Sequence, residues 1–305
     1  MRATLEKDKK LEYALFLGCT VPVRGMNYET SARQVAQKLG IALVDKEGFS
    51  CCGFPVQSVN KHAALLLAAR NLSLAEEAGL DICVLCSACG VNLSEANHAF
   101  QSDPDLLSRI NADLKAVGKS YSGKTKVKHF VRILYEEVGL DQLRKHIRQP
   151  LSGLAVAPFY GCHYLKPAEI HDRFEDPEDP KSLEQLIEIT GAQALYHSSR
   201  ISCCGGGVLG IDEPTAQKVA KMTLDSAKAT GADALVLQCG TCDVMLEVSQ
   251  KKIGKTFEVE YNLPVVYYPQ LLGLAMGISP EELGFALNRV GSREFLERVQ
   301  SLPIG

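Results

Sequence analysis

Eleven cysteines stand in a chain of 305 residues, and ten of them form two sets with the same internal order. The first set is Cys19, the Cys51-Cys52-Gly53 triplet, and Cys86-Ser87-Ala88-Cys89. The second is Cys162, the Cys203-Cys204-Gly205 triplet, and Cys239-Gly240-Thr241-Cys242. Lone cysteine and pair are separated by 31 residues in one set and 40 in the other, pair and CxxC by 33 and 34. Thiolates at such spacing bind soft metals. Ten structural core cysteines would not repeat in this order or stand adjacent. Vicinal disulfides or a dithiol relay at the pairs are a further alternative. A structural zinc takes four ligands in a tetrahedron, so five thiols per half is one too many. Adjacent extended residues also point to opposite sides. An iron–sulfur cluster is large enough for neighbouring thiolates to reach different irons. The ten cysteines are therefore metal-ligand candidates, with iron–sulfur as the main reading and zinc in one half as its competitor. Gly53 and Gly205 let the backbone turn closely behind each pair.

The sequence around the cysteines repeats as well. YALFLGCT at 13–20 parallels AVAPFYGCH at 155–163, and AARNLSLAEEAGLDICVLC at 68–86 parallels AKMTLDSAKATGADALVLQC at 220–239. VKHFVRILYEEVGL at 127–140 parallels VVYYPQLLGLAMGI at 265–278. The boundary is placed at Pro150, giving an N-terminal domain of residues 1–150 and a C-terminal domain of 151–305.

Apolar patterning supplies the elements that position these thiols. Short buried strands are expected at Ala14–Leu17 and Leu154–Phe159, each running into Gly-Cys. Helices are expected at Tyr28–Leu39, Lys61–Ala78, Lys181–Thr190 and Thr215–Thr230, each followed by a glycine. A second strand should lead to each Cys-Cys-Gly, and strands Ile82–Leu85 and Ala234–Leu237 to each CxxC. Val127–Leu140 reads as an amphipathic helix. Alternating strands and helices imply an α/β fold of two tandem repeats, each a small parallel sheet flanked by helices. The cysteines then lie at the C-terminal ends of the strands, where open parallel sheets bind ligands. Residues 101–125 read as an exposed helix and basic turn. Residues 163–182, an acidic Pro-rich loop after Cys162, are a lid candidate.

With 33 basic and 36 acidic residues the formal charge is −3, which argues against nucleic acid as a partner. The charged N-terminus MRATLEKDKK lacks the apolar core of a signal peptide. The longest apolar stretch, Leu263–Ile278, is too short and interrupted to span a bilayer, and reads as a core-facing or subunit-facing helix. A cytoplasmic location is expected, where clustered thiols stay reduced. Cys83 reads as core. His163, next to Cys162, is a candidate proton donor to a product thiolate. Lys166 and His171 are weaker candidates for attracting an anionic substrate, a solvated loop face being the default. Gly205-Gly206-Gly207-Val208-Leu209-Gly210 spells a dinucleotide fingerprint, but it follows a Cys-Cys pair late in a repeat and reads as turn and cluster-approach glycine. No flavin or nicotinamide site is expected in this chain.

The pattern Cys-x31-Cys-Cys-Gly-x32-Cys-x2-Cys, then Cys-x40-Cys-Cys-Gly-x33-Cys-x2-Cys, resembles the duplicated cysteine-rich CCG domain, and within it the B-type subunit of heterodisulfide reductase. EYALFLGCT, SCCGFP, FYGCHYLKP, DPEDP, ISCCGGG and PVVYYPQLLGLAMG carry the resemblance. The resemblance implies two noncubane 4Fe–4S clusters. By position Cys19, Cys51, Cys52, Cys86 and Cys89 would hold one, and Cys162, Cys203, Cys204, Cys239 and Cys242 the other. It further implies a disulfide substrate, small molecule or protein, cleaved reductively between the clusters or formed in reverse. The implied partners are the ferredoxin-like C-type subunit together with the flavin-containing A-type one, since the chain has no ferredoxin-type cysteine run of its own. Two rivals are the related subunit of an atypical succinate dehydrogenase/fumarate reductase, relaying electrons or docking at a membrane, and a scaffold with one cluster and one zinc.

Overall fold

The computed structural model describes residues 11–302; the charged N-terminal decapeptide read above lies outside them. Two four-stranded parallel sheets form the frame. The first comprises β1 (Glu12–Phe16), β2 (Ala42–Asp45), β3 (Asp81–Val84) and β4 (Val127–His129), in the order β2-β1-β3-β4. The second comprises β5 (Ala155–Phe159), β6 (Gln193–Ala194), β7 (Ala234–Leu237) and β8 (Val265–Tyr267), in the order β6-β5-β7-β8. Tyr13 pairs with Leu43 on one side and Asp81 on the other, and Val156 with Ala194 and Ala234. The chain leaves the central strand in opposite directions to β2 and β3, which makes the crevice between β1 and β3 a topological switch point. The crevice between β5 and β7 is its counterpart.

The expected helices form at Met26–Leu39, Lys61–Glu77, Ser182–Glu188 and Glu213–Lys228. Gly40, at φ 71°, closes the first in the left-handed conformation, its N–H reaching Ala36 O and Gln37 O. Asn60 and Asp212 cap the second and fourth, accepting from Ala63 N and Thr215 N. Residues 101–125 contain the expected exposed helix, Pro104–Leu114, anchored by buried Ile110 and Leu114.

Three expectations need correction. Each sheet has a fourth strand, where the sequence reads only helix. Val127–His129 and Val265–Tyr267 are too short to show a period of two before the apolar helical run takes over. Past β4, one α-helical turn at Phe130–Arg132 widens into a π-helix over Ile133–Val138, in place of one amphipathic helix. The strands before the Cys-Cys pairs are also less direct than expected, since β2 ends at Asp45 and β6 at Ala194. Irregular chain carries each pair to the sheet edge.

The third correction concerns residues 163–182, which do not form a free lid. Tyr164, Leu165 and His171 are buried. The Tyr164 ring meets His129 edge-on at 5.2 Å, and Arg132 lies over Phe174 at 4.3 Å. The segment is a strap tying the C-terminal half to the N-terminal one. Its polar candidates are otherwise engaged. Lys166 pairs with Glu178, and His171 Nε2 bonds to His163 O. Burial pushes His171 down to about 4, so its ring is neutral and attracts no anion.

A second seam also joins the halves. Tyr28 stacks on Tyr267 with centroids 4.2 Å apart, and its hydroxyl donates to Gln238 O at 2.8 Å. Such a pair contributes about 1 kcal/mol beyond its buried area. The apolar run at Leu263–Ile278 becomes the wholly buried helix Tyr268–Ala275 against Met26–Leu39, a core-facing element as read from sequence. No helix among the described residues is long and apolar enough to cross a membrane.

Candidate metal centre

In each half a strand end, a tight turn and a helix start bring the thiols together. Gly18 (φ 64°) and Gly161 (φ 70°) turn the chain after β1 and β5 to present Cys19 and Cys162. The bare turns matter for packing too. A Cβ on Gly18 would stand 2.8 Å from Cys89 Sγ, and one on Gly161 3.1 Å from Cys242 Sγ. After β3 and β7, Cys86 and Cys239 occupy N-cap positions with matching extended backbones, φ −131° ψ 122° and φ −132° ψ 126°. Cys89 and Cys242 follow in the first turn.

Each Cys-Cys-Gly makes a cradle of backbone donors. Gly53 N and Phe54 N point at Cys51 and Cys52 Sγ, both at 3.5 Å. Gly205 N and Gly206 N point at Cys203 and Cys204 Sγ, at 3.3 and 3.4 Å. This turn requires glycine. Gly53 sits at φ 101° with its would-be Cβ 2.7 Å from Ala64 O, and Gly205 at φ 85° with 2.5 Å to Ala216 O. N–H donors on sulfur are among the means by which proteins tune iron–sulfur centres.

The ten thiols form one continuous string, in the order Cys19, Cys51, Cys52, Cys89, Cys86, then Cys239, Cys242, Cys204, Cys203, Cys162. The second half reverses the first. The centre of the string is the contact between halves, Cys86 Sγ to Cys239 Sγ at 3.8 Å. Six of the ten are buried, while Cys19 and Cys203 are exposed. Crowding splits their acidities. Hydrogen bonds from Cys162 and Cys204 pull Cys203 down to about 2, and donation to that sulfur pushes Cys162 up. Cys86 is pushed up to about 12, chiefly by its bond to Cys239, which is held well below the ordinary thiol range. Neighbouring thiolates repel, so negative charge is favoured at Cys52, Cys239 and Cys203 and disfavoured at the thiols beside them. A cationic group binding several at once removes that conflict.

Among the described residues no group of three or more Cys, His, Asp or Glu side chains is shaped to hold a single ion. The donors fit a multi-iron group, with sulfurs strung around it and backbone N–H groups behind them, better than one tetrahedral zinc. Cys83, buried within β3 between Leu15 and Lys128, lies outside the string as expected of core.

Two openings reach the thiols. A cleft of about 820 Å³ between the halves exposes Cys19, with Arg24, Val59, Lys61 and Ile211 on its walls. A cavity of about 260 Å³ exposes Cys162, Cys203, Cys204, Cys239 and Cys242, and is closed on the N-terminal side by Phe54, Ser87 and Ala88. Both are lined by Phe54, Gly207 and Thr241. His163 lines the smaller cavity, its ring edge-on to Phe54 at 5.1 Å. The Gly205–Gly210 run forms a wall shared with the cleft. Sequence reading missed Phe54 and Thr241. Thr241 was detectable, because it and Ala88 are the mismatched third residues of the two CxxC motifs.

The cysteine-rich CCG domain family matches twice, over residues 13–94 and 156–247. A heterodisulfide reductase B-subunit-like protein of Archaeoglobus profundus is 37% identical over 90% of this chain and 93% of its own length. The B-type subunit of ferredoxin/F420H2-dependent CoB-CoM heterodisulfide reductase from Methanosarcina acetivorans is 36% identical over 96% of this chain and 98% of its own. The membrane anchor subunit of 8-methylmenaquinol:fumarate reductase from Wolinella succinogenes is 34% identical over 91% and 96%. The crystal structure of a hypothetical protein from Helicobacter pylori superposes with a TM-score of 0.76 at 17% identity, over 92% of this chain. This chain spans about half (52%) of that one, and the likeness bears on fold alone.

Proposed function

We propose a function from one premise: the chain belongs to the family of duplicated cysteine-rich CCG proteins that includes the B-type subunit of heterodisulfide reductases. It is an iron–sulfur oxidoreductase subunit that cleaves a disulfide to two thiols, or runs the reverse, within a complex containing a ferredoxin-like and a flavin-containing subunit. Cys19, Cys51, Cys52, Cys86 and Cys89 hold one noncubane 4Fe–4S cluster, and Cys162, Cys203, Cys204, Cys239 and Cys242 the other. When bound, these groups supply single electrons and iron sites with affinity for sulfur.

The observation that carries the reading is the meeting of the two thiol sets at Cys86–Cys239, 3.8 Å apart, beside a cavity walled by both halves. Converting RS–SR to two thiols takes two electrons and two protons, so a site between two electron stores suits the stoichiometry. Phe54 and Val208 line the cavity with apolar surface and keep water from the reacting sulfurs. Gly207 leaves its wall bare, so a substrate sulfur approaches the backbone closely. His163, held against Phe54, delivers a proton to the departing thiolate.

Metal and acid-labile sulfide analysis of anaerobically purified protein tests the assignment. About eight irons and no zinc are expected from two 4Fe–4S groups; stoichiometric zinc with half the iron overturns it in favour of a scaffold. A second reading has support from the Wolinella relative and from exposed Val23, Val59 and Ile211 at the cleft mouth. As a fumarate-reductase subunit the chain would copurify with a flavoprotein fumarate subunit, and as a disulfide reductase with ferredoxin-like and flavin subunits.

A further inference from the structure

The two CxxC motifs face each other across the seam but are not equivalent. Thr241, third in the C-terminal motif, has its Oγ1 3.4 Å from Cys86 Sγ of the N-terminal half. Its counterpart in the repeat is Ala88, which has no hydroxyl to return to Cys239. Thr20 Oγ1 lies 3.8 Å from Cys19 Sγ where the other repeat has His163, and the backbone donors at the vicinal pairs are matched. Gly53 and Phe54 mirror Gly205 and Gly206 in donating to the vicinal pairs. Across the seam Cys239 takes a backbone N–H, from Ser87. The side-chain hydroxyl is thus present on one side only.

The Thr241 rotamer is also constrained. Its Cγ2 lies 2.5 Å from where a Cβ on Gly206 would stand, so the bare glycine makes room for the methyl group. With the methyl seated there, the hydroxyl is directed toward Cys86. Either atom can donate while Cys86 is a thiol; as a cluster ligand Cys86 would be a thiolate with no proton to give, and the hydroxyl would then donate.

We infer that Thr241 is a cross-domain tuning residue: its side-chain hydroxyl donates to Cys86 Sγ and raises the reduction potential of the N-terminal centre, where the C-terminal centre's Cys239 takes only a backbone N–H across the seam. Hydrogen bonds to ligand sulfur offset the negative charge gained on reduction. The N-terminal centre is therefore easier to reduce than it would be with its own repeat's alanine in that place. The inference rests on the two-cluster reading above.

The test is a mediated redox titration of the anaerobic complex followed by electron paramagnetic resonance, alongside iron analysis. The N-terminal transition is identified as the one perturbed by Cys19→Ser. Thr241→Val keeps the methyl that packs on Gly206 and removes the donor. It should shift the reduction equilibrium of the N-terminal transition about tenfold toward the oxidised form, which is about 59 mV for one electron, with iron content and the second transition unchanged. Thr241→Ser should restore the wild-type value. Two transitions that both ignore Thr241→Val overturn the assignment, as does a Thr241→Ser variant that shifts as far as valine. Wild-type protein lacking two such transitions overturns the two-cluster reading and this inference with it.

Discussion

Cys19 stands exposed on the wall of a cleft of about 820 Å³, while its counterpart Cys162 is half-buried beside a cavity of about 260 Å³. The difference arises in the residues that follow each thiol. After Cys19 the chain turns at once into the short helix Val21–Arg24 and leaves Cys19 open. After Cys162 it runs through His163, which lines the cavity, into the strap, which crosses to Arg132 and His129. The order of the cysteines is the same in the two repeats while the openings beside Cys19 and Cys162 differ. Each half nonetheless keeps one thiol exposed, Cys19 and Cys203. On the proposed function the cavity would take a small substrate shielded from water.

The largest effects test whether both halves are needed. Cys52→Ser and Cys204→Ser should each lower disulfide reduction by more than about a hundredfold, beyond what outer-shell changes around metals cost. Full activity in either variant, measured anaerobically with iron content, would reduce that half to a spectator. The proposed proton donor, His163, should separate the halves. His163→Gln should cut turnover by about a hundredfold at unchanged iron, whereas Thr20→Ala, its positional counterpart, should leave it nearly unchanged. Equal losses would remove the functional distinction between the openings.

The glycine cradles should instead behave alike. Gly53→Ala and Gly205→Ala each place a Cβ at positive φ within 2.7 Å of a carbonyl oxygen. A cost of about 2–4 kcal/mol is expected from left-handed strain and overlap together. Denaturant unfolding under anaerobic conditions measures it, and a cost confined to one half would break the symmetry argued for the pairs. The smallest effect concerns the strap. Arg132→Ala removes the stacking on Phe174 and the pairing with Glu136 and Asp172. It should cost about 1–2 kcal/mol, and a chelator should then extract the C-terminal half's iron faster than the other. Uniform extraction from both halves would show that the strap does not govern access.

Much of this arrangement was legible from residue order. The duplicated cysteines identify ten candidate ligand thiols and their grouping, since the order of the cysteines repeats in both halves. Strand-to-helix periodicity gives two parallel sheets, and Gly-Cys at strand ends places the thiols at their C-terminal edges. Cys83 separates from the rest because it falls inside a strand. Periodicity could not show β4 and β8, because three residues carry no measurable alternation. Nor could composition show that an acidic, Pro-rich segment would bury Tyr164 and His171 against the other half.

What the sequence by itself determined, then, is the chemistry available to each half: which side chains are thiols, and which turns are bare enough to bring them together. Tertiary structure alone decided how the two halves meet. The reversal of the string at Cys86–Cys239, the closure of the cavity by Phe54 and Ala88, and the reach of Thr241 to a sulfur 155 residues away all depend on docking one repeat against the other. Local periodicity and ligand spacing act within a few turns of chain. The contacts across this seam join residues whose proximity is set by the packing of whole sheets.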